Sequence, residues 1–362
     1  MRVLLSGYYG FGNLGDEALL EVIVAQLRAR FGDVQIDVLS ATPERTAAQL
    51  DVDATPRWNM RAIREAIDRA DIVLSGGGGL LQSATSLRSV MYYAGILREA
   101  VRRGRKTMIF AQSIGPLDLV GRYVVRRFCR GVNRATVRDA RSRALLHGLL
   151  PNVPVEQTAD PVFLFDLPET QIDLSAEGLG PESEPYAIFS IRKTGALKDG
   201  IATLVRVADR LSEKHGVRVA FLPLGGVSDA EVSTSVIRAC KTAPMLLPEC
   251  SLPKAAAIIR GARVVVGMRL HALIFAARFA VPFLAVPYDP KVSSLCEDLA
   301  YPLEPLWTPG QSAPLGNATN ALVDRLMSQH DELQTHLRER IDVVRAAAAR
   351  NFDVLGELLR EP

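Results

Sequence analysis

Arg2-Val3-Leu4-Leu5-Ser6-Gly7-Tyr8-Tyr9-Gly10-Phe11-Gly12-Asn13-Leu14-Gly15-Asp16-Glu17 opens on an apolar run, which Gly7 closes as a strand. The glycine-rich turn then leads into Ala18 to Leu27, which has the period of a helix. The same order returns far downstream, where Ala262 to Val266 runs through Gly267-Met268-Arg269-Leu270-His271 into a helical stretch, Ala272 to Phe279. Unpaired backbone N–H groups and the positive end of the dipole favour an anion where a helix begins. The second copy adds an arginine and a histidine. The two stretches therefore read as two halves of one site that grips a phosphate and moves a proton.

Outward from the first stretch, apolar runs at Gln35 to Leu39, Asp71 to Ser75, Thr107 to Gln112, Ala135 to Arg138 and Val155 to Thr158 alternate with helical segments. Such alternation predicts a parallel sheet with helices on both faces. Leu167 to Pro185 interrupts it with Pro168, Gly178, Gly180, Pro181 and Pro185. The alternation resumes at Tyr186 to Ile191, Arg218 to Pro223, Ala262 to Val266 and Pro282 to Val286. The expected organisation is a first doubly wound domain over 1–167, a linker over 168–185 and a second such domain over 186–320. A helical region over 321–362 is expected to pack back across both. Ligands in such domains bind outside the carboxyl ends of the strands, so the glycine turns are expected to face an inter-domain cleft.

The 362 residues exceed one typical core, and 48% hydrophobic with 23% charged residues is ordinary for a globular protein. No run is long and apolar enough for a membrane span, and no signal-peptide pattern precedes the first strand, so a cytoplasmic protein is expected. Cys129, Cys240, Cys250 and Cys296 lack metal-ligand spacing and read as reduced thiols. Neither a metal nor a nucleic-acid partner is expected. The net charge is only +3, yet Arg98 to Arg143 holds 13 Lys+Arg against 3 Asp+Glu. Arg122, Arg126, Arg130 and Arg134 recur every four residues beside Val120, Val124, Phe128 and Val132, the pattern of one amphipathic helix. It is either a solvated arginine face or a surface that rests peripherally on anionic membrane.

Ser6 to Ala18, Ser75-Gly76-Gly77-Gly78-Gly79-Leu80-Leu81-Gln82, Gln112-Ser113-Ile114-Gly115-Pro116 and Arg269-Leu270-His271 together resemble the polysaccharide pyruvyl transferase family, and most of all its CsaB-type branch. The similarity runs from Val3 to about Leu299, with the motifs in family order. It implies two Rossmann-like domains in a GT-B-like arrangement. It also implies transfer of pyruvate from phosphoenolpyruvate, as a ketal, to a sugar of a cell-wall polysaccharide precursor. The implied acceptor is a lipid-diphosphate-linked amino-sugar disaccharide on the cytoplasmic membrane face, with N-acetylmannosamine as the modified sugar.

Other readings of the motifs stand beside this one. Gly10-Phe11-Gly12-Asn13-Leu14-Gly15 satisfies GxGxxG, but Val38-Leu39-Ser40-Ala41-Thr42 offers no carboxylate for a dinucleotide ribose. Those glycines also suit mere tight packing. Gly76 to Gly79 reads as a second turn where backbone approaches a ligand, with Gln82 in reach. His271 is one of five histidines, and the family motif gives it a catalytic or phosphate-binding role beside Arg269 and Leu270. The resemblance also implies that Lys291, in Tyr288-Asp289-Pro290-Lys291, holds the substrate carboxylate. Arg138 matches a phosphate-binding arginine, and Asp139 is expected to orient it. A dianionic phosphate next to a carboxylate needs several such cations, and His271 suits proton transfer near neutral pH. Asn13, Asp16, Glu17, Gly78, Gly79, Gln82, Gln112 and Ser113 are the acceptor-side candidates. No cofactor is required beyond phosphoenolpyruvate as donor. The alternatives are a GT-B glycosyltransferase using a nucleotide sugar and a non-enzymatic polysaccharide-binding protein.

Overall fold

A computed structural model describes residues 1–83, 86–168, 172–179, 184–194, 197–307 and 316–361. The chain divides into two compact units, Met1–Phe165 with Arg345–Pro362, and Asp166–Val344.

The first unit runs β1 (Arg2–Tyr9), α1 (Leu14–Phe31), β2 (Gln35–Ser40), α2 (Pro43–Leu50), β3 (Asp53–Pro56), α3 (Met60–Arg69), β4 (Ile72–Gly78), α4 (Leu87–Arg102), β5 (Lys106–Gln112), α5 (Leu119–Phe128), β6 (Arg134–Val137), α6 (Ala140–Leu149) and β7 (Val155–Gln157). Its seven strands are parallel in the order β3-β2-β1-β4-β5-β6-β7. Successive side chains of a strand face opposite ways. Val3 and Leu5 pack with Leu20, Ile23 and Leu27 of α1, while Leu4 packs with Ile63 and Ile67 of α3. Both faces are thus covered, and this is why the strands are apolar without alternation.

The second unit runs β8 (Tyr186–Ser190), α7 (Leu197–His215), β9 (Arg218–Phe221), α8 (Val227–Ala239), β10 (Met245–Leu246), α9 (Leu252–Gly261), β11 (Val264–Gly267), α10 (Leu270–Arg278), β12 (Phe283–Ala285), α11 (Pro290–Asp298) and α12 (Asn317–Ser328). Five parallel strands lie in the order β10-β9-β8-β11-β12. The expected helical tail is two helices. The second, α13 (His330–Arg360), places Leu333 in the core of the second unit and Phe352, Leu355 and Leu358 in that of the first. Asn351, fully buried, fixes the tail by donating to the Ala159 carbonyl at 2.9 Å and accepting from the Thr158 hydroxyl at 2.8 Å.

Three local expectations are corrected. β1 does not close at Gly7 but continues to Tyr9, whose ring occupies the space a Cβ on Gly7 would need. The run Gly76 to Gly78 is buried strand rather than turn, and its bare backbone makes room for Tyr9, Leu19 and Asp16 of the same chain. The arginine stripe is not one helix. α5 ends at Phe128, Gly131 turns against Val101 with no space for a side chain, Arg130 lies beyond the helix, and Arg134 opens β6. Of the expected linker, residues 169–171 and 180–183, with Gly180 and Pro181, lie outside the described residues. Nearby, Glu177 pairs with Lys254 at 2.5 Å, and the Gly178 carbonyl accepts from Arg218 at 2.8 Å.

Candidate functional site

In an open parallel sheet the ligand edge is where strand order reverses. In the second unit that point lies between β8 and β11. Ser190, Gly267 and Ala285 are register partners at the carboxyl ends of β8, β11 and β12. The N–H of Met268 donates to the Ser190 carbonyl at 2.8 Å, and that of Val286 donates to the Gly267 carbonyl at 2.9 Å. Three neighbouring strand ends therefore deliver Arg192, the Arg269-Leu270-His271 segment and Lys291 to one edge.

Each of these side chains is positioned differently. Arg269 is the N-cap residue of α10 and reaches back to Asp229, which accepts from its Nε and Nη2 at 2.7 Å each. Asp229 is fully buried in the first turn of α8, and bare Gly225 lets the guanidinium pass. Arg269 is thus a clamp between the β9 and β11 loops. His271 is half-buried at the second position of α10, whose amino end carries no side-chain cap. Lys291, whose sequence context after the β12 strand reads as a turn, is helical instead. It lies in the first turn of α11, where the N-cap Asp289 accepts from its backbone N–H at 3.0 Å and stands 3.8 Å from its Nζ. Arg192 donates to the Tyr288 hydroxyl at 3.0 Å. Sequence reading missed Arg192 and Asp229, although Arg192 follows a strand just as Arg269 does.

In the first unit the reversal lies between β1 and β4, where the Tyr9 hydroxyl donates to the Gly76 carbonyl at 2.6 Å. The expected anion cradle is already occupied. Glu17 accepts from the N–H groups of Gly10 at 2.9 Å and Gly12 at 3.2 Å, while Asn13 accepts from Gly15 at 3.2 Å. Asp16 and Glu17 make the first turn of α1 acidic. Burial pushes the Glu17 carboxyl above its usual value against the pull of those amides. This turn presents carboxylates, which suits hydroxyl donors and not a phosphate.

Gln112 is fully buried, and its amide donates to the Ser75 carbonyl and hydroxyl at 2.7 and 2.8 Å. It ties β5 to β4. Gly79 and Gln82 are half-buried just past β4. Arg138 follows β6 and is 6% exposed. Its Nε and Nη2 donate to the Ser113 hydroxyl at 3.2 and 3.0 Å, and its Nη1 pairs with Asp160. Asp139 does not orient it. That carboxylate caps α6, accepting from the Ser142 N–H at 2.7 Å and hydroxyl at 2.8 Å.

Among the described residues no cluster of His, Cys, Asp or Glu could hold a metal, and no helix is long and apolar enough to cross a membrane. Burial pushes the Cys129, Cys240 and Cys296 thiols up to about 12 and that of Cys250 to about 11, so none is a ready nucleophile at neutral pH.

The model of the polysaccharide pyruvyl transferase family matches residues 13–290. The chain belongs to that family. This pyruvyl transferase family member matches no protein of curated function. Its fold is shared with sugar-nucleotide enzymes of the GT-B class. HepE of Anabaena in complex with UDP-glucose is 10% identical with a TM-score of 0.64, over 98% of this chain and 100% of that one. UDP-GlcNAc 2-epimerase of Neisseria meningitidis bound to UDP-GlcNAc is 12% identical with a TM-score of 0.63, over 99% and 100%. A glycosyltransferase of Rickettsia africae is 10% identical with a TM-score of 0.62, over 100% and 99%.

Proposed function

We propose that this family member moves the enolpyruvyl group of phosphoenolpyruvate onto two hydroxyls of one acceptor sugar, forming a pyruvate ketal and releasing phosphate. The observation that carries the reading is the second unit's carboxyl edge, where neighbouring strand ends supply Arg192, His271 and Lys291. In this scheme one sugar hydroxyl adds to the central carbon of the donor, and the methylene carbon gains a proton to become methyl. The second hydroxyl replaces phosphate at the same carbon. Of the two hydroxyl protons, one balances the new methyl group and the other leaves with phosphate.

His271 is the group proposed to move a proton, with Lys291 neutralising the donor carboxylate as a compact charge. In the first unit Arg138 is the phosphate-directed arginine, its fork oriented by Asp160 and Ser113. Asp16 and Glu17 are proposed to accept from acceptor hydroxyls. The acceptor class we favour is an N-acetylmannosamine-containing disaccharide on a lipid diphosphate, the CsaB-type substrate, used at the cytoplasmic face of the membrane. Anionic lipid is the proposed surface partner of α5, where Leu119, Val120 and Tyr123 are 86%, 53% and 66% exposed beside Arg122, Arg126 and Arg127.

The test is mass spectrometry of a synthetic lipid-linked disaccharide after incubation with protein and phosphoenolpyruvate, with nucleotide sugars in parallel. A mass gain matching one pyruvate ketal, with an equal amount of phosphate, is expected. A gain of one hexose from a nucleotide sugar instead would transfer the protein to the glycosyltransferases.

A further inference from the structure

The carboxyl edge of the first sheet carries a side-chain cluster that the proposed chemistry leaves unused. Arg57 directly follows β3 and is 2% exposed. Its Nη1 donates to the Gly7 carbonyl at 2.7 Å and its Nη2 to the Tyr93 hydroxyl at 3.1 Å, while its buried Nε meets no acceptor among the described residues. Four aromatic rings surround the cation. Its guanidinium carbon lies 4.9 Å from the Phe11 centroid, 4.9 Å from Trp58, 4.8 Å from Tyr92 and 5.6 Å from Tyr93. A cation over ring faces orients them, and more firmly when it is removed from water.

What the cation holds stands open. Trp58 is 68% exposed, Tyr8 41% and Phe11 40%. Tyr8 and Phe11 stack at 4.1 Å with planes 13° apart, and Trp58 leans on Tyr92 at 5.5 Å. The rings are therefore fixed by one another and by Arg57, yet present apolar surface where an open parallel sheet receives its ligand. Phe11 lies between Gly10 and Gly12, the two residues whose amides bind the Glu17 carboxylate. Aromatic faces with carboxylate acceptors close by match a pyranose, which has a face of polarised C–H bonds and a rim of hydroxyl donors. The ring quadrupole, negative on its face, attracts such C–H bonds. The carboxylates disfavour a phosphate here.

We propose that Trp58, Tyr8 and Phe11 form a stacking platform for a neutral pyranose unit of the acceptor, held from beneath by Arg57. The platform rests on the proposed function only for its choice of saccharide. Its work is binding, not proton transfer.

The chain has two tryptophans, and Trp307 is only 6% exposed, so emission accessible to iodide reports on Trp58. The protein is titrated with a soluble N-acetylmannosamine-containing disaccharide, without phosphoenolpyruvate, and separately with UDP. A saturable emission change with protection from iodide is expected for the disaccharide. By isothermal titration calorimetry, which does not depend on the tryptophan, Trp58→Ala should weaken disaccharide binding roughly two- to tenfold, the range for one aromatic contact, and Trp58→Phe should restore most of it. In turnover, the acceptor KM should rise by the same factor with kcat and the phosphoenolpyruvate KM unchanged. Emission and iodide access indifferent to the disaccharide would overturn the platform, as would saturation by UDP alone. Saturable disaccharide binding without any pyruvyl transfer would remove the proposed reaction and keep the platform. Transfer with an unaltered acceptor KM in Trp58→Ala would do the reverse.

Discussion

Arg138 is held by Asp160 across 22 positions of sequence, while its neighbour Asp139 turns away to cap α6. Both members of the pair are buried, at 6% and 4% exposure. Removing one partner of such a pair typically costs about 3–5 kcal/mol, whereas loss of an N-cap costs about 1 kcal/mol. Asp160→Ala should therefore lower stability in urea far more than Asp139→Ala. Equal losses would mean that the burial of Arg138 does not depend on Asp160.

His271→Ala is expected to reduce kcat by about 10²–10⁴-fold, the usual contribution of a positioned acid or base. The side chain is half-buried at a helix start, so the melting temperature should hardly move. Wild-type turnover by the folded variant would end its assignment to proton transfer.

Lys291 has a separate signature. Its proposed partner is the donor carboxylate, and a charge-assisted hydrogen bond is worth about 1.5–3 kcal/mol. Lys291→Ala should raise the phosphoenolpyruvate KM roughly tenfold or more and leave the acceptor KM alone. Steady-state kinetics with each substrate varied in turn decide the matter.

The second unit should lose stability in acid through Asp324. This carboxylate of α12 accepts from Arg210 at 2.6 and 3.1 Å, Lys214 at 2.7 Å and His215 at 2.8 Å. Arg210 foremost, with burial opposing and Lys214 and His215 adding, holds its carboxyl well below the usual range. A depressed folded value means that the contribution is complete above the unfolded value, about 3.9, and vanishes as pH falls through the folded one. Unfolding midpoints should drop below about pH 4, and Asp324→Asn should flatten that slope. An unchanged slope would show that the cluster is fully screened by solvent.

Peripheral binding is checked by flotation with anionic vesicles. About 1 kcal/mol per basic residue near such a surface, screened beyond roughly 8 Å at physiological salt, makes binding salt-sensitive. A variant with Leu119→Ser, Tyr123→Ser, Arg126→Gln and Arg127→Gln should remain in solution yet still use a water-soluble acceptor. Equal flotation of that variant and the wild type would reduce α5 to a solvated face.

Much of this was readable in the sequence, and the errors share a cause. Strand positions followed from apolar runs such as Val3 to Leu5 and Val264 to Val266, because a parallel strand covered on both faces must be apolar throughout. β10, two residues long, and β3, with its exposed ends, carry too little apolar pattern to be read. Arginines spaced every four residues imitated one helix across 122–134, although the chain turns at Gly131 for lack of room beside Val101.

By itself the sequence determined two doubly wound units, the strand ends at which the candidate side chains emerge, and the family motifs around Arg269-Leu270-His271. These depend on local periodicity and on residue types within a few positions of one another. Tertiary structure alone decided which charges meet. Asp229 clamps Arg269 from 40 positions away, Asp160 holds Arg138 from 22, and four rings from three segments enclose Arg57. Pairing between side chains depends on where the folded backbone brings separate segments, and no spacing along the chain records that distance.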